Sequence, residues 1–96
     1  MKTTDLKKIH KGVYEYLKTK KAGAEVEEFA EFPNNYGANV SDFYVKYNIE
    51  DNYNYDMQRI KIEHSMNIVF IPDRGYFSFK TLKDIKNIID TESKLK

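Results

Sequence analysis

Leu6, Ile9, Val13 and Leu17 recur at steps of three, four and four, which places them on one face of a helix. Thr4 stands just before the stripe as a candidate N-cap. Lys7, Lys8, Lys11 and Lys18 fall mostly off it and predict a solvated side. Gly12 lies inside the helix, where it is expected to cost about 1 kcal/mol against alanine. The pattern predicts that the helix fades between Lys20 and Gly23. Residues 24–32 fit two readings. Ala22, Val26, Phe29 and Ala30 share a helical face, while Val26, Phe29 and Phe32 also suit an irregular edge strand. Pro33-Asn34-Asn35-Tyr36-Gly37 then reads as a turn.

From Val40 the period changes to two. Phe43, Val45, Tyr47 and Ile49 alternate with Asp42, Tyr44, Lys46 and Asn48, as in a half-buried strand. Residues 50–56 form a polar connection. Ile60 and Ile62 alternate with Arg59, Lys61 and Glu63 in a second strand, and a tight turn near Ser65-Met66-Asn67 leads into Ile68–Ile71. Pro72-Asp73-Arg74-Gly75 is a hairpin signal with glycine at the positive-φ position, and Tyr76–Phe79 returns as a strand. Thr81 caps a last helix with Asp84 three residues on, an acidic relative of the capping box. Leu82, Ile85, Ile88 and Ile89 are its apolar face. Connections this short leave no room for parallel crossovers. The fold expected is α+β: an N-terminal helix, a small antiparallel meander of three to four strands and a C-terminal helix, in one domain over residues 1–96.

Composition narrows the chemistry. The chain has 96 residues, 41% hydrophobic and 15% aromatic, enough for a packed core. There is no cysteine, so thiolate metal sites, disulfides and thiol nucleophiles are excluded. No apolar stretch follows Met1-Lys2, and the longest apolar run is Ile68–Ile71, so a cytoplasmic protein without a membrane span is expected. The net charge of +1 hides a partition. Residues 1–23 carry seven lysines against Asp5 and Glu15, a balance of +5; residues 24–56 carry eight acids against Lys46, a balance of −7; residues 57–96 stand at +3.

Few constellations carry chemistry. His10 and His64 have no orienting partner at any recognisable spacing and read as surface or edge histidines. Asn52, Asn54, Asp56 and Glu63 imitate a calcium loop, but Met57 stands where the sharp turn needs glycine, and no metal is expected. Glu25, Glu27, Glu28 and Glu31 read as a solvated face. No phosphate loop or nucleophile elbow is present, so neither an enzyme nor a cofactor is expected. The lysine-rich first helix reads as a solubilising face rather than a phosphate contact.

The acidic middle holds Tyr36, Tyr44, Tyr47, Tyr53 and Tyr55 among Asp42, Glu50, Asp51 and Asp56. Tyrosine supplies rigid contact area with a polar tip. Beside carboxylates it suits docking on a basic protein surface, where the acids take the places of phosphates. The binding residues expected are Asp42, Tyr44, Glu50, Asp51, Tyr53, Tyr55 and Asp56. The function expected is a non-enzymatic inhibitor or modulator of a larger, basic, nucleic-acid-handling protein. It is similar in general character to small phage or mobile-element inhibitors of the anti-CRISPR kind, a likeness of composition alone. Two other readings compete. Val13–Lys18 followed by Gly23–Ala30 resembles the first two helices of a winged-helix DNA-binding regulator, with Ile68–Phe79 as the wing. Its recognition helix would be Val40–Ile49, which carries one lysine and strand-forming residues. The opposed +5 and −7 segments also predict a salt-sensitive homo-oligomer as a third reading.

Overall fold

The computed structural model describes residues 3–21, 23–33, 39–49 and 54–95. Helix α1 runs over Thr3–Lys18, strand β1 over Glu25–Glu31, β2 over Val40–Asn48, β3 over Tyr55–Glu63, β4 over Ile68–Ile71, β5 over Gly75–Ser78 and α2 over Leu82–Glu92. A 3-10 turn at His64–Met66 joins β3 to β4. The five strands form one antiparallel sheet in sequence order. This is the α+β fold with one strand more than the three or four expected.

The added strand is β1. Its pairing with β2 runs in full register from Glu25 opposite Lys46 to Glu31 opposite Val40. It is a sheet edge, which settles the helix-or-strand ambiguity of residues 24–32. Gly23–Ala30 therefore supplies no second helix, and Val40–Asn48 is a strand rather than a recognition helix. The winged-helix resemblance ends there, although the β4–β5 hairpin is present. At its tip Asp73 and Gly75 both take positive φ, at 71° and 118°. The Pro33–Gly37 turn lies mostly outside the described residues.

Both helices cover one face of the sheet. Period-two alternation sends Phe43, Val45 and Tyr47 of β2, Ile60 and Ile62 of β3, and Val69 and Ile71 of β4 to that face. They pack against Val13 and Leu17 of α1 and Ile85 and Ile89 of α2, with Phe79 and Leu95 closing the ends. Helix α1 starts at Thr3, so Thr4 lies inside it rather than at its cap. Gly12 has a packing reason: a Cβ there would stand 2.5 Å from Leu82 Cδ2, so glycine lets the two helices approach closely. Beyond that contact the Tyr16 hydroxyl donates to Asp90 at 2.6–2.7 Å, and Lys20 pairs with the same carboxylate.

Helix α2 begins as expected. Asp84 N–H donates to Thr81 Oγ1 at 3.3 Å and Thr81 N–H donates to Asp84 Oδ2 at 3.0 Å, a complete capping box. Thr81→Ala removes one acceptor from the helix start and is expected to lower stability by about 1 kcal/mol, read as a shift of the thermal midpoint.

Candidate functional site

The sheet face opposite the helices is uncovered by any described element. Register places its side chains in rows. Glu25, Lys46 and Met57 form one row, and Glu27, Tyr44 and Arg59 the next. Phe29, Asp42, Lys61, Phe70 and Tyr76 cross all five strands in a third. Phe29 is 58% exposed, Tyr55 59%, Met57 49% and Tyr76 66%. These are large apolar groups held out on a rigid surface with solvent in front of them.

The rings are fixed by neighbours. Phe70 and Tyr76 lie 4.8 Å apart between centroids. Lys46 Nζ sits 4.5 Å over the Tyr55 ring, and the Arg59 guanidinium 5.5 Å over Tyr44. Arg59 also makes a bidentate pair with Asp42, donating Nε to Oδ1 at 3.1 Å and Nη2 to Oδ2 at 2.7 Å. Asp42 raises the Arg59 pKa further above its ordinary value. Lys61 and Glu63 form a looser pair at 3.9 Å. Glu25, Glu27 and Glu31 form no ion pair among the described residues, so the negative charge of this face collects along β1.

The expected binding residues divide. Asp42, Tyr44 and Tyr55 are on the open face, with Asp42 nearly buried under Arg59. Asp56 is on the opposite, helical face. It accepts from Tyr47 at 3.1 Å and from Lys94 Nζ at 3.0 Å, and Lys94 holds its carboxyl below the usual carboxylate range. Tyr47, 6% exposed, is a core residue whose phenol is pushed up to about 12, first by burial and then by Asp56. Glu50, Asp51 and Tyr53 lie outside the described residues, as do Tyr36 and Asn52. The sequence reading missed Phe29, Met57, Phe70 and Tyr76, whose alternation was legible but whose strands could not be aligned without the register.

A second constellation lies under the helices. His10 and His64 are buried, at 9% and 2% exposure, which corrects the surface reading of both. Their rings converge on Ser41, which is fully buried. Ser41 Oγ lies 2.8 Å from His10 Nδ1 and 2.7 Å from His64 Nε2, while His10 Nε2 meets Glu28 Oε1 at 2.9 Å. His10 stacks on Phe43 at 4.7 Å, and Phe32 packs edge-on against both imidazoles. Carboxylate, imidazole and hydroxyl thus stand in the order of a hydrolase triad. The hydroxyl is sealed beneath the rings, however, and no acyl group reaches it in this conformation. Among the described residues no cluster of three or more His, Asp or Glu side chains is placed to hold a metal, and no helix is long and apolar enough to cross a membrane. Comparisons of the chain with protein-family models, with curated proteins and with solved structures find no match in any of the three.

Proposed function

We infer that this protein is a non-enzymatic docking module of the cytoplasm. Its uncovered sheet face seats on a basic surface of a larger, nucleic-acid-handling protein and blocks or modulates it. One observation carries the reading: Phe29, Tyr55, Met57 and Tyr76 each stand about half exposed or more on a face that no described element covers. The face interleaves these rings and Met57 with charged side chains, and aromatic and methionine side chains are enriched where proteins meet. The charge pattern selects the partner. Asp42 and Glu63 are matched by Arg59 and Lys61, and Lys46 is left against Glu25, Glu27 and Glu31. Lysine and arginine complement such a rim, and phosphate is repelled by it. Compared with the residues expected from sequence, the patch keeps Asp42, Tyr44 and Tyr55 and moves its centre toward β1 and β4–β5.

The test begins with partners captured on the wild-type chain. Each is then titrated against a Glu25→Lys/Glu27→Lys/Glu31→Lys variant and against Phe29→Ser/Tyr76→Ser. All five positions are surface positions, so both variants are expected to fold. A basic partner that loses about tenfold or more in affinity to each variant is the expected result. Equal binding by the variants, or retention of nucleic acid alone through Lys8, Lys11, Lys18 and Lys83 of the helical face, overturns it.

A further inference from the structure

The chain from the exposed Glu28 through the buried His10 and Ser41 to the buried His64 has a definite proton arithmetic. With Glu28 ionised, His10 must carry hydrogen on Nε2 to meet it. When His10 is neutral its Nδ1 is bare and accepts from the Ser41 hydroxyl, and Ser41 Oγ in turn accepts from His64 Nε2–H. When His10 takes a proton, its Nδ1–H donates to Ser41. The hydroxyl then turns and donates to His64 Nε2, and the hydrogen of His64 moves to Nδ1. Both arrangements keep all three hydrogen bonds. A second proton breaks the pattern. Two imidazolium N–H groups would then point at one oxygen, its hydroxyl hydrogen would have no acceptor in the chain, and two cations would flank a buried group.

The titratable groups meeting here are His10 from α1, Glu28 from β1 and His64 from the 3-10 turn. Strand β2 contributes only Ser41 and Phe43, and Phe32 follows just after β1. The corner is also where polar satisfaction is least complete. Asn39 Oδ1 and His64 Nδ1 are the unpartnered buried side-chain atoms among the described residues, and the His64 backbone N–H donates to the Asn39 carbonyl at 2.9 Å. Burial, and the facing His10 after it, hold His64 down at about 4.

We propose that Glu28, His10, Ser41 and His64 form a one-proton relay that fastens the first half of α1 and the middle of β1 to the rest of the sheet, and that a second proton opens this corner while the rest of the fold holds. The relay joins four separate elements through one buried hydroxyl, so its loss frees them together. It stands independently of the docking reading.

Imidazole nitrogen NMR and amide hydrogen exchange on the full chain, from about pH 7 to about pH 4, test it. On the first proton the relay takes up, His64 is expected to stay neutral while its hydrogen moves from Nε2 to Nδ1. At lower pH, protection at residues 10, 28, 41 and 64 is expected to fall by up to about tenfold per pH unit, while Phe77 and Ile89 remain protected. Independent titration of the two rings near their ordinary value overturns the relay, and so does protection lost evenly over the molecule. His64→Gln keeps a donor for Ser41 and cannot titrate, so the acid opening should vanish in it; an opening that persists contradicts the proposal. If that variant does not fold, His10→Gln gives the same reading.

Discussion

Phe43→Ala is expected to lower the unfolding free energy by about 3–5 kcal/mol. Phe43 is fully buried on β2, with β1 and β3 paired on either side of it. Its ring faces α1 and stacks on His10. The neighbouring strands are fixed by their hydrogen bonds, so the cavity cannot collapse, and the loss includes both transfer and packing terms. It also removes the wall that holds the His10 ring against Ser41. Domains of this size have roughly 5–15 kcal/mol of stability in all, so the variant should unfold at a much lower urea midpoint. Phe29→Ala is the control. Phe29 lies on the same sheet but on the open face, and its removal should change stability by less than about 0.5 kcal/mol. Equal losses from the two changes would mean that the faces have been assigned wrongly.

Acidification is the second large effect. The unfolded chain presents His64 with its ordinary value of 6.5, while the folded chain holds it at about 4. The unfolded state therefore binds the proton more tightly. The stability from keeping His64 neutral is complete above about 6.5, declines as pH falls toward 4, and is gone below that. A displacement of this size is worth about 3 kcal/mol. The carboxylates add a later limb. Asp56, Asp84 and Asp90 are held below their ordinary value by Lys94, by the backbone at Lys80 and Thr81, and by Lys20 respectively. Their contribution is present above about 3.8 and is lost as pH falls through their folded values. Urea unfolding at a series of pH values should show the first decline between about 6.5 and 4, and His64→Gln should flatten it. A wild-type curve level across that window would contradict the burial of His64 as a neutral ring.

Much of the fold was legible because its elements announce themselves locally. The stripe from Leu6 to Leu17, the alternation through Phe43 and Ile60, and the Thr81–Asp84 box each need only their own neighbours in sequence. Strand β1 was ambiguous for a physical reason. As an edge strand it buries little, and its inward side carries Glu28 where an apolar residue would have marked a strand, because that glutamate serves His10. The histidine cluster left no local trace. Its partners stand 18, 31 and 23 residues apart, and only the sheet register brings them together. The same register divided the acidic, tyrosine-rich segment. Odd and even positions of a strand face opposite ways, so Tyr44 and Tyr55 look outward while Tyr47 and Asp56 look toward the helices. Spacing in the sequence showed which residues alternate along a strand, but not which residues of neighbouring strands stand side by side on the open face.

That open face is the centre of the account, and backbone NMR of the wild-type chain titrated with its captured partner tests it most directly. Shifts confined to Glu25–Glu31 and to Tyr44, Tyr55, Met57, Phe70 and Tyr76 are predicted. Shifts gathered on Lys8, Lys11, Lys18 and Lys83, with the open face unmoved, would contradict it.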